Sequence, residues 1–481
     1  MRPKFLFALA LLVLALAGGA AVWWWQSAAQ DQSVAAAAIP PAPPLDGLHP
    51  ALREELHAAE ARARSLTGST AGLADLATLY HANGYLEQAM SCYTALAELQ
   101  PREARWPHLH ATILAGYGEV EAAISLWQRT VELAPDYLPA RLRLGDAALK
   151  ANDLATAKTA YDAALKQAPN DPYAQLGLAR LDLEAGRDSA ARPRLEAIVR
   201  QTNYQLGYDL IVSLYERTGE RQRAAAIRGA AKASGAYRDP PDPWADALME
   251  KCYDSYRLAI SAGAIARTGD TPAALRLLER AVSLAPEDVS AHFQLGGLYA
   301  QTGRLDAARD QFHRCVTLSP EFSDGWTNLS ETLAKMGDQT GSARALASGL
   351  SHCPTSPGLH LLRARRLREA GRNDEALAAY RYSIQLRPNE PPTYLELGNL
   401  LVSMGRAEEG IEQMRAALAL DPADPHALTV MAYNSISLGD REESVKWLNR
   451  IAQQPRTSAS AFQQLQDLFR QKFGAPAPIT R

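Results

Sequence analysis

Proline closes one apolar-periodic segment after another along this chain, at a fixed pitch. Pro101, Pro135 and Pro169 stand 34 residues apart, and Pro286, Pro320, Pro354, Pro388 and Pro422 keep the same step, with Pro455 following after 33. A recurrence of roughly 20–50 residues marks one supersecondary unit, repeated and stacked, because a unit that short cannot bury its apolar face alone. With 481 residues the chain is also too long for one ordinary core.

Inside one period the pattern is two helices. In "AGLADLATLYHANGYLEQAMSCYTALAELQP", Leu73, Leu76, Ala77 and Tyr80 share one helical face, and Ala89, Tyr93 and Leu96 share a second. Gly84 supplies the turn between them, where a positive φ costs it little, and Pro101 follows the second helix. Small Ala89 allows two backbones to approach closely, and Tyr93 fills the space beside it.

The same residue types recur at the same offsets. A large-small pair returns as Leu144-Gly145, Leu295-Gly296 and Leu397-Gly398. The turn glycine returns as Gly118, Gly186, Gly219, Gly269, Gly303, Gly337, Gly371, Gly405 and Gly439. The small residue of the second helix returns as Ala123, Ala157, Ala191, Ala224, Ala274, Ala308 and Ala376, followed by a bulky one at Trp127, Tyr161, Phe312 and Tyr380. The pattern resembles the tetratricopeptide repeat family, over about eleven units between Thr70 and Gln454. Departures are local: Pro193 inside a second helix, Asn203 in a proline slot, and Gly410 and Ser444 in the small-alanine slot.

The resemblance implies an all-α fold, a right-handed superhelical α-solenoid of helix-turn-helix repeats. It also implies a concave groove, lined by first helices, that holds extended peptides or a partner's helix. Carried onto this chain, the groove-facing positions are Arg105, His108, Tyr173, Arg180, Tyr256, Phe293, Arg365, Arg368 and Asn399. Arg365 and Arg368 lie one turn apart and suit a partner's carboxylates. The basic-plus-asparagine clamp that some members use for acidic C-terminal tails is not reproduced across adjacent units.

The N-terminus reads as a membrane address. "FLFALALLVLALAGGAAVWWW", Phe5 to Trp25, lacks charged side chains, and as a helix would span about 31 Å, the thickness of a hydrocarbon core. Trp23, Trp24 and Trp25 suit its boundary, and Arg2 and Lys4 before it place the bulk of the chain outside the cytoplasm. A signal peptide cleaved near Gly18, Ala20 or Ala29 is the rival reading, leaving a secreted or periplasmic product.

The period breaks once. Pro169 to Pro286 is 117 residues, three steps plus 15, and the surplus falls in "DPPDPWADALMEKCYDSYRLAI". Asp242 with Pro243 reads as an N-cap with proline at the first helical position. Trp244, Leu248, Cys252 and Tyr256 then recur every four residues, as if the insert lengthened the next repeat's first helix. Its alternative role is a partner anchor through Trp244.

The expected organisation is a transmembrane signal anchor (1–25), an Ala/Pro-rich tether (26–47), a capping helix (48–69), a block of five repeats (70–236), the insert (237–254), a block of six repeats (255–455), and a closing helix and tail (456–481). The closing helix carries Phe462, Leu465, Leu468 and Phe469 on one stripe.

Catalytic signals are lacking: no phosphate-binding glycine loop, HExxH or GxSxG occurs. Cys92, Cys252, Cys315 and Cys353 form no CxxC, and a formal net charge of -3 gives no reason to expect nucleic acid. No enzyme activity, cofactor, metal or small-molecule substrate is expected. The reading is a membrane-tethered scaffold or adaptor on the periplasmic side of the inner membrane, binding protein partners through its groove. The alternative is an assembly or chaperone-like accessory factor for an exported enzyme or a respiratory or envelope complex.

Overall fold

A computed structural model describes the backbone of residues 3–44, 48–202, 204–234, 240–267, 269–422, 424–452 and 459–479; the side chains of 3–17, 226, 229–234 and 459 are outside the described set. Arg2, residues 237–239 of the insert and Pro455 therefore fall outside it. Among the described residues the chain is helical and has no strand.

Helices α1 (Pro3–Ala38) and α2 (Pro50–Ala63) precede α3 (Ser69–Ala82), α4 (Leu86–Leu99), α5 (Arg105–Tyr117), α6 (Val120–Leu133), α7 (Leu138–Lys150), α8 (Leu154–Gln167), α9 (Pro172–Glu184), α10 (Asp188–Gln201), α11 (Gln205–Arg217) and α12 (Arg221–Ser234). The insert holds a one-turn helix α13 (Pro243–Asp246) and a 3-10 turn (Ala247–Lys251). Then come α14 (Ser255–Ala266), α15 (Thr271–Leu284), α16 (Val289–Gln301), α17 (Leu305–Leu318), α18 (Ser323–Lys335), α19 (Gln339–His352), α20 (Pro357–Glu369), α21 (Asn373–Leu386), α22 (Pro391–Ser403), α23 (Ala407–Leu420), α24 (Pro425–Leu438), α25 (Arg441–Ala452) and α26 (Ala459–Phe473). Two compact units form, one of Met1–Thr202 with Arg238–Ala264, the other of Asn203–Tyr237 with Ile265–Arg481.

The turns follow from backbone sterics. Gly118 adopts φ 86°, and the next amide, Glu119 N–H, reaches back to Leu114 O at 2.9 Å, closing α5. In the third repeat the turn position is Asn152, at φ 60°, since asparagine is among the few side chains that tolerate this region. Pro193 sits inside α10, which remains one helix.

The small-large alternation is also physical. Tyr161, 1% exposed, lies over the glycines of two successive first helices. A Cβ on Gly145 would stand 2.6 Å from the Tyr161 ring, and one on Gly177 closer still. Phe312 covers Gly296 in the second unit in the same way. Helix α2 packs backbone to backbone on α3, where a Cβ on Gly72 would strike Ala59 O at 2.7 Å. At the other end Leu465 and Phe469 of α26 are buried with Met431, Trp447 and Leu448.

Two expectations need correction. Helix α1 runs 36 residues, past the tryptophans and through the supposed tether to Ala38. It lies against α2, α3 and α4, burying Ala35 completely, and Gln32 Nε2 donates to Arg64 O at 2.6 Å. Residues 26–38 are thus docked helix, with Ala35 packed and Gln32 bonded to a backbone carbonyl. Among the described residues no helix is long and apolar enough to cross a membrane. This overturns the N-terminal transmembrane anchor and the periplasmic placement that depended on it; the side chains of Phe5–Ala17 lie outside the described set.

Nor does the insert lengthen α14. Cys252 is extended, at φ −80° and ψ 131°, and the helix restarts at Ser255. Asp254 Oδ1 accepts from Tyr256 N–H at 2.9 Å and Arg257 N–H at 3.2 Å, a fresh start within the unit.

Candidate partner-binding faces

In the first unit the insert lies on the repeats themselves. Asp242, 3% exposed, is the centre of its first contact. Its Oδ2 faces His108 Nε2 at 2.8 Å, and its Oδ1 accepts from Tyr137 Oη at 2.6 Å and from Ala245 N–H at 3.3 Å. A ring nitrogen facing a carboxylate at that distance carries the proton, so His108 donates. Its Nδ1 is buried with no hydrogen-bond partner among the described residues. Burial opposes the charge on Asp242, but the hydrogen bond and charge of His108, with the Tyr137 hydroxyl, hold the carboxyl below its usual range. Burial, and then the hydrogen bond to Asp242, push the Tyr137 hydroxyl up.

Trp244 stacks on Tyr137 with ring centroids 3.5 Å apart, and its edge meets His108 at 5.4 Å. The Trp244 backbone N–H donates to Tyr137 Oη at 3.0 Å. Further along, the Asn83 carboxamide grips the insert at two points where it leaves the 3-10 turn. Nδ2 donates to Lys251 O at 2.9 Å, and Oδ1 accepts from Tyr253 N–H at 2.7 Å. Tyr253 Oη reaches Glu55 Oε1 of α2 at 2.7 Å, and its ring stacks on His49.

The other groove positions expected in this unit are dispersed. Arg105 donates through Nε and Nη2 to the two carboxylate oxygens of Glu103, each at 3.0 Å, and lies over Trp106. Tyr173 packs against the cluster containing Leu142 and Tyr161. Arg180 meets Asp146, the residue one repeat earlier, at 3.4 Å. Tyr256 is 69% exposed on α14.

The second unit arranges its positions differently. Arg365 makes a two-pronged bond to Glu396, at 2.6 to 3.1 Å, and Tyr380 Oη donates to the same carboxylate at 3.0 Å. The hydrogen bond from Arg365 to Glu396, ahead of the opposing cost of burial, raises the Arg365 guanidinium above its usual value. Arg365 is therefore a brace between α20, α21 and α22. Phe293 meets Phe322 edge to face at 5.0 Å and packs near Phe312. Arg368 and Asn399 are exposed.

Asn399 opens on a cleft of about 590 Å³ lined by His426, Thr429, Val430 and Tyr433 of α24 and by Ala461, Gln464, Leu465 and Leu468 of α26. Tyr433 is 54% exposed, and Asn434 Nδ2 donates to Asn399 Oδ1 at 3.4 Å. Arg365, Asn399 and Tyr433 stand at intervals of 34 residues on α20, α22 and α24, so one register position forms a row across three first helices. The sequence reading missed Tyr433, which that interval would have found. It also missed Asn83 and Tyr137, whose roles no local signal announces.

The four cysteines form no disulfide; burial pushes the Cys92 and Cys315 thiols up to about 12, away from the thiolate form. Among the described residues no cluster of three or more His, Cys, Asp or Glu is placed to hold a metal.

Comparison with known proteins agrees with the helix pairs. Three family models, each described as tetratricopeptide repeat, match residues 72–103, residues 114–175, 148–205 and 367–432, and residues 266–321. No curated protein matches. Among solved structures, yeast Tom70 is 14% identical, with 85% of this chain and 97% of that one covered at a TM-score of 0.40. YrrB, titled a TPR protein with an unusual peptide-binding site, is 19% identical over 38% of this chain and 94% of its own, at 0.29. Pseudomonas aeruginosa pilF is 13% identical over 44% and 96%, at 0.37. With the repeat models matching along both units, the chain belongs to the tetratricopeptide repeat family.

Proposed function

We propose that the protein is a binding scaffold that holds segments of partner proteins against the first helices of a repeat solenoid. Tetratricopeptide repeat proteins are protein-interaction scaffolds, and this chain shares their repeat. In the second unit the working face is formed by Asn399 and Tyr433 of that row, with exposed Arg368 on α20. The cleft beside Asn399 is the observation that carries the reading. It offers a side-chain amide, a half-exposed tyrosine ring and the apolar flank of α26, a combination that suits an extended segment entering edge-on. Tyr433 has no role in the core that would account for its position. Arg365 is left to brace the face, since Glu396 occupies it.

The test is a photo-crosslinking residue placed at Tyr433 and, separately, at Leu420, an exposed position on the second helix α23. Discrete adducts are expected from position 433 only. Asn399→Ala with Tyr433→Ala should weaken binding of the adducted partner about tenfold or more, the scale of a lost interface anchor. Equal labelling at both positions, or unchanged affinity in the double variant, would refute the reading.

A further inference from the structure

We infer that residues 240–254 are the resident ligand of a peptide-reading surface on the first unit, and that this surface takes partner segments in which a carboxylate is followed two residues later by an aromatic ring. The partner must displace the insert to bind. This face is separate from the one proposed above and rests on its own contacts, so either test can fail alone.

Three features make the surface a reader and not simply a packing face. The Asn83 carboxamide holds one C=O and one N–H two residues apart, where the chain leaves its 3-10 turn through extended Cys252, a grip on backbone that is indifferent to side chains. His108 of α5 and Tyr137 before α7 converge two donors on one carboxylate, that of Asp242, which selects for an acid. The Tyr137 ring then serves as a shelf for the Trp244 indole, which selects for an aromatic at the second position onward. Each of these groups comes from a different repeat or turn, and each meets the insert through a readable chemical feature.

The array's pitch does not require the insert. From Pro286 to Pro422 repeats follow one another with no such addition. The insert buries Leu248 and Cys252 as a packing segment would, but it also meets a histidine, a phenol and an amide. His108 even keeps a buried Nδ1 without a partner, as expected of a ring oriented by its ligand rather than by its own unit.

Tethering sets the threshold for displacement. A short linker holds its own ligand at an effective concentration of about millimolar, so a free segment of equal intrinsic strength binds the intact protein only at about that concentration. The experiment uses a fluorescein-labelled peptide copying residues 240–254, with serine for its cysteine, and full-length protein. Binding is measured by anisotropy to wild type, to Asp242→Ala/Trp244→Ala and to the isosteric Asp242→Asn, with helicity followed by circular dichroism. The double variant should bind the peptide at least about tenfold more tightly than wild type, and Asp242→Asn should fall between them. Peptides with alanine for their own Asp or Trp should bind at least about tenfold more weakly. Absence of binding to a folded variant, or indifference to those peptide changes, would overturn the inference. Loss of the fold in both variants would overturn it equally, because a displaceable ligand cannot be what holds the unit together.

Discussion

The indole of Trp244 lies on the ring of Tyr137 with centroids 3.5 Å apart and planes 13° from parallel, joining residues 107 positions apart. A stacked pair of this kind contributes about 0.5–1.5 kcal/mol beyond its buried area. Trp244→Ala is therefore expected to lower the stability of the first unit by about 1–2 kcal/mol, leaving the second unchanged. Denaturant melts followed by hydrogen exchange, which separates the two units, check this.

His81 gives the first unit an acid limit. Burial, and then the charge of Arg257, bring its imidazole down to about 4. The unfolded chain takes up this proton near the ordinary value of about 6.5, so the unfolded state binds more protons between those two values. Stability from this group is complete above about 6.5 and is lost as pH falls toward 4, by up to about 3 kcal/mol. His81→Gln should flatten that part of the stability–pH curve.

Asp242 acts in a lower window. Its folded-state value is depressed, so docking of the insert is complete above the ordinary carboxylate value and is lost as pH falls through the lower folded one. Exchange of the Ala245 and Tyr253 amides should accelerate on that descent, after correction for intrinsic rates. Protection that persists unchanged to the acid end would show that the carboxylate does not hold the insert.

Gly177→Ala is expected to be costly in spite of its size. Its Cβ would enter the Tyr161 ring, and overpacking of this kind costs about 1–3 kcal/mol. Tyr161→Leu in the same chain should recover part of the loss, so a double-mutant cycle should give a non-zero coupling. Tyr161 also donates to Asp146 Oδ1 at 2.6 Å, which keeps the recovery incomplete.

Arg365 and Arg368 should separate cleanly. Arg365→Ala leaves Glu396 with Tyr380 alone and should cost about 1–2 kcal/mol in the second unit, modest because the pair is partly exposed. Arg368→Glu should leave stability within about 0.5 kcal/mol, as expected of an exposed position. Thermal melts of the two variants decide the matter.

Much of the fold was legible because it is local. Helix pairs, turn glycines and the alanine-aromatic alternation are dictated by neighbours within one period, and Tyr161 over Gly145 is what that alternation looks like when packed. Asn152 escaped because a search for glycine alone misses the other residue that tolerates positive φ. The site was less legible. His108 could be placed on the first-helix face, but not its burial, since Asp242 lies 134 residues away. Asp242 reads as an N-cap and is one, by way of Ala245; its carboxylate also serves His108 and Tyr137, which no local pattern encodes. At the N-terminus, apolar composition masked the fact that α1 continues into small residues that dock.

The contact of Tyr253 with Glu55 spans 198 positions and closes the chain into a ring. Within the first unit, a pull applied to α2 and to the insert would load this latch before it reached the helices α3 to α10 that lie between them in the chain. Those helices would feel the load only once the latch gave way.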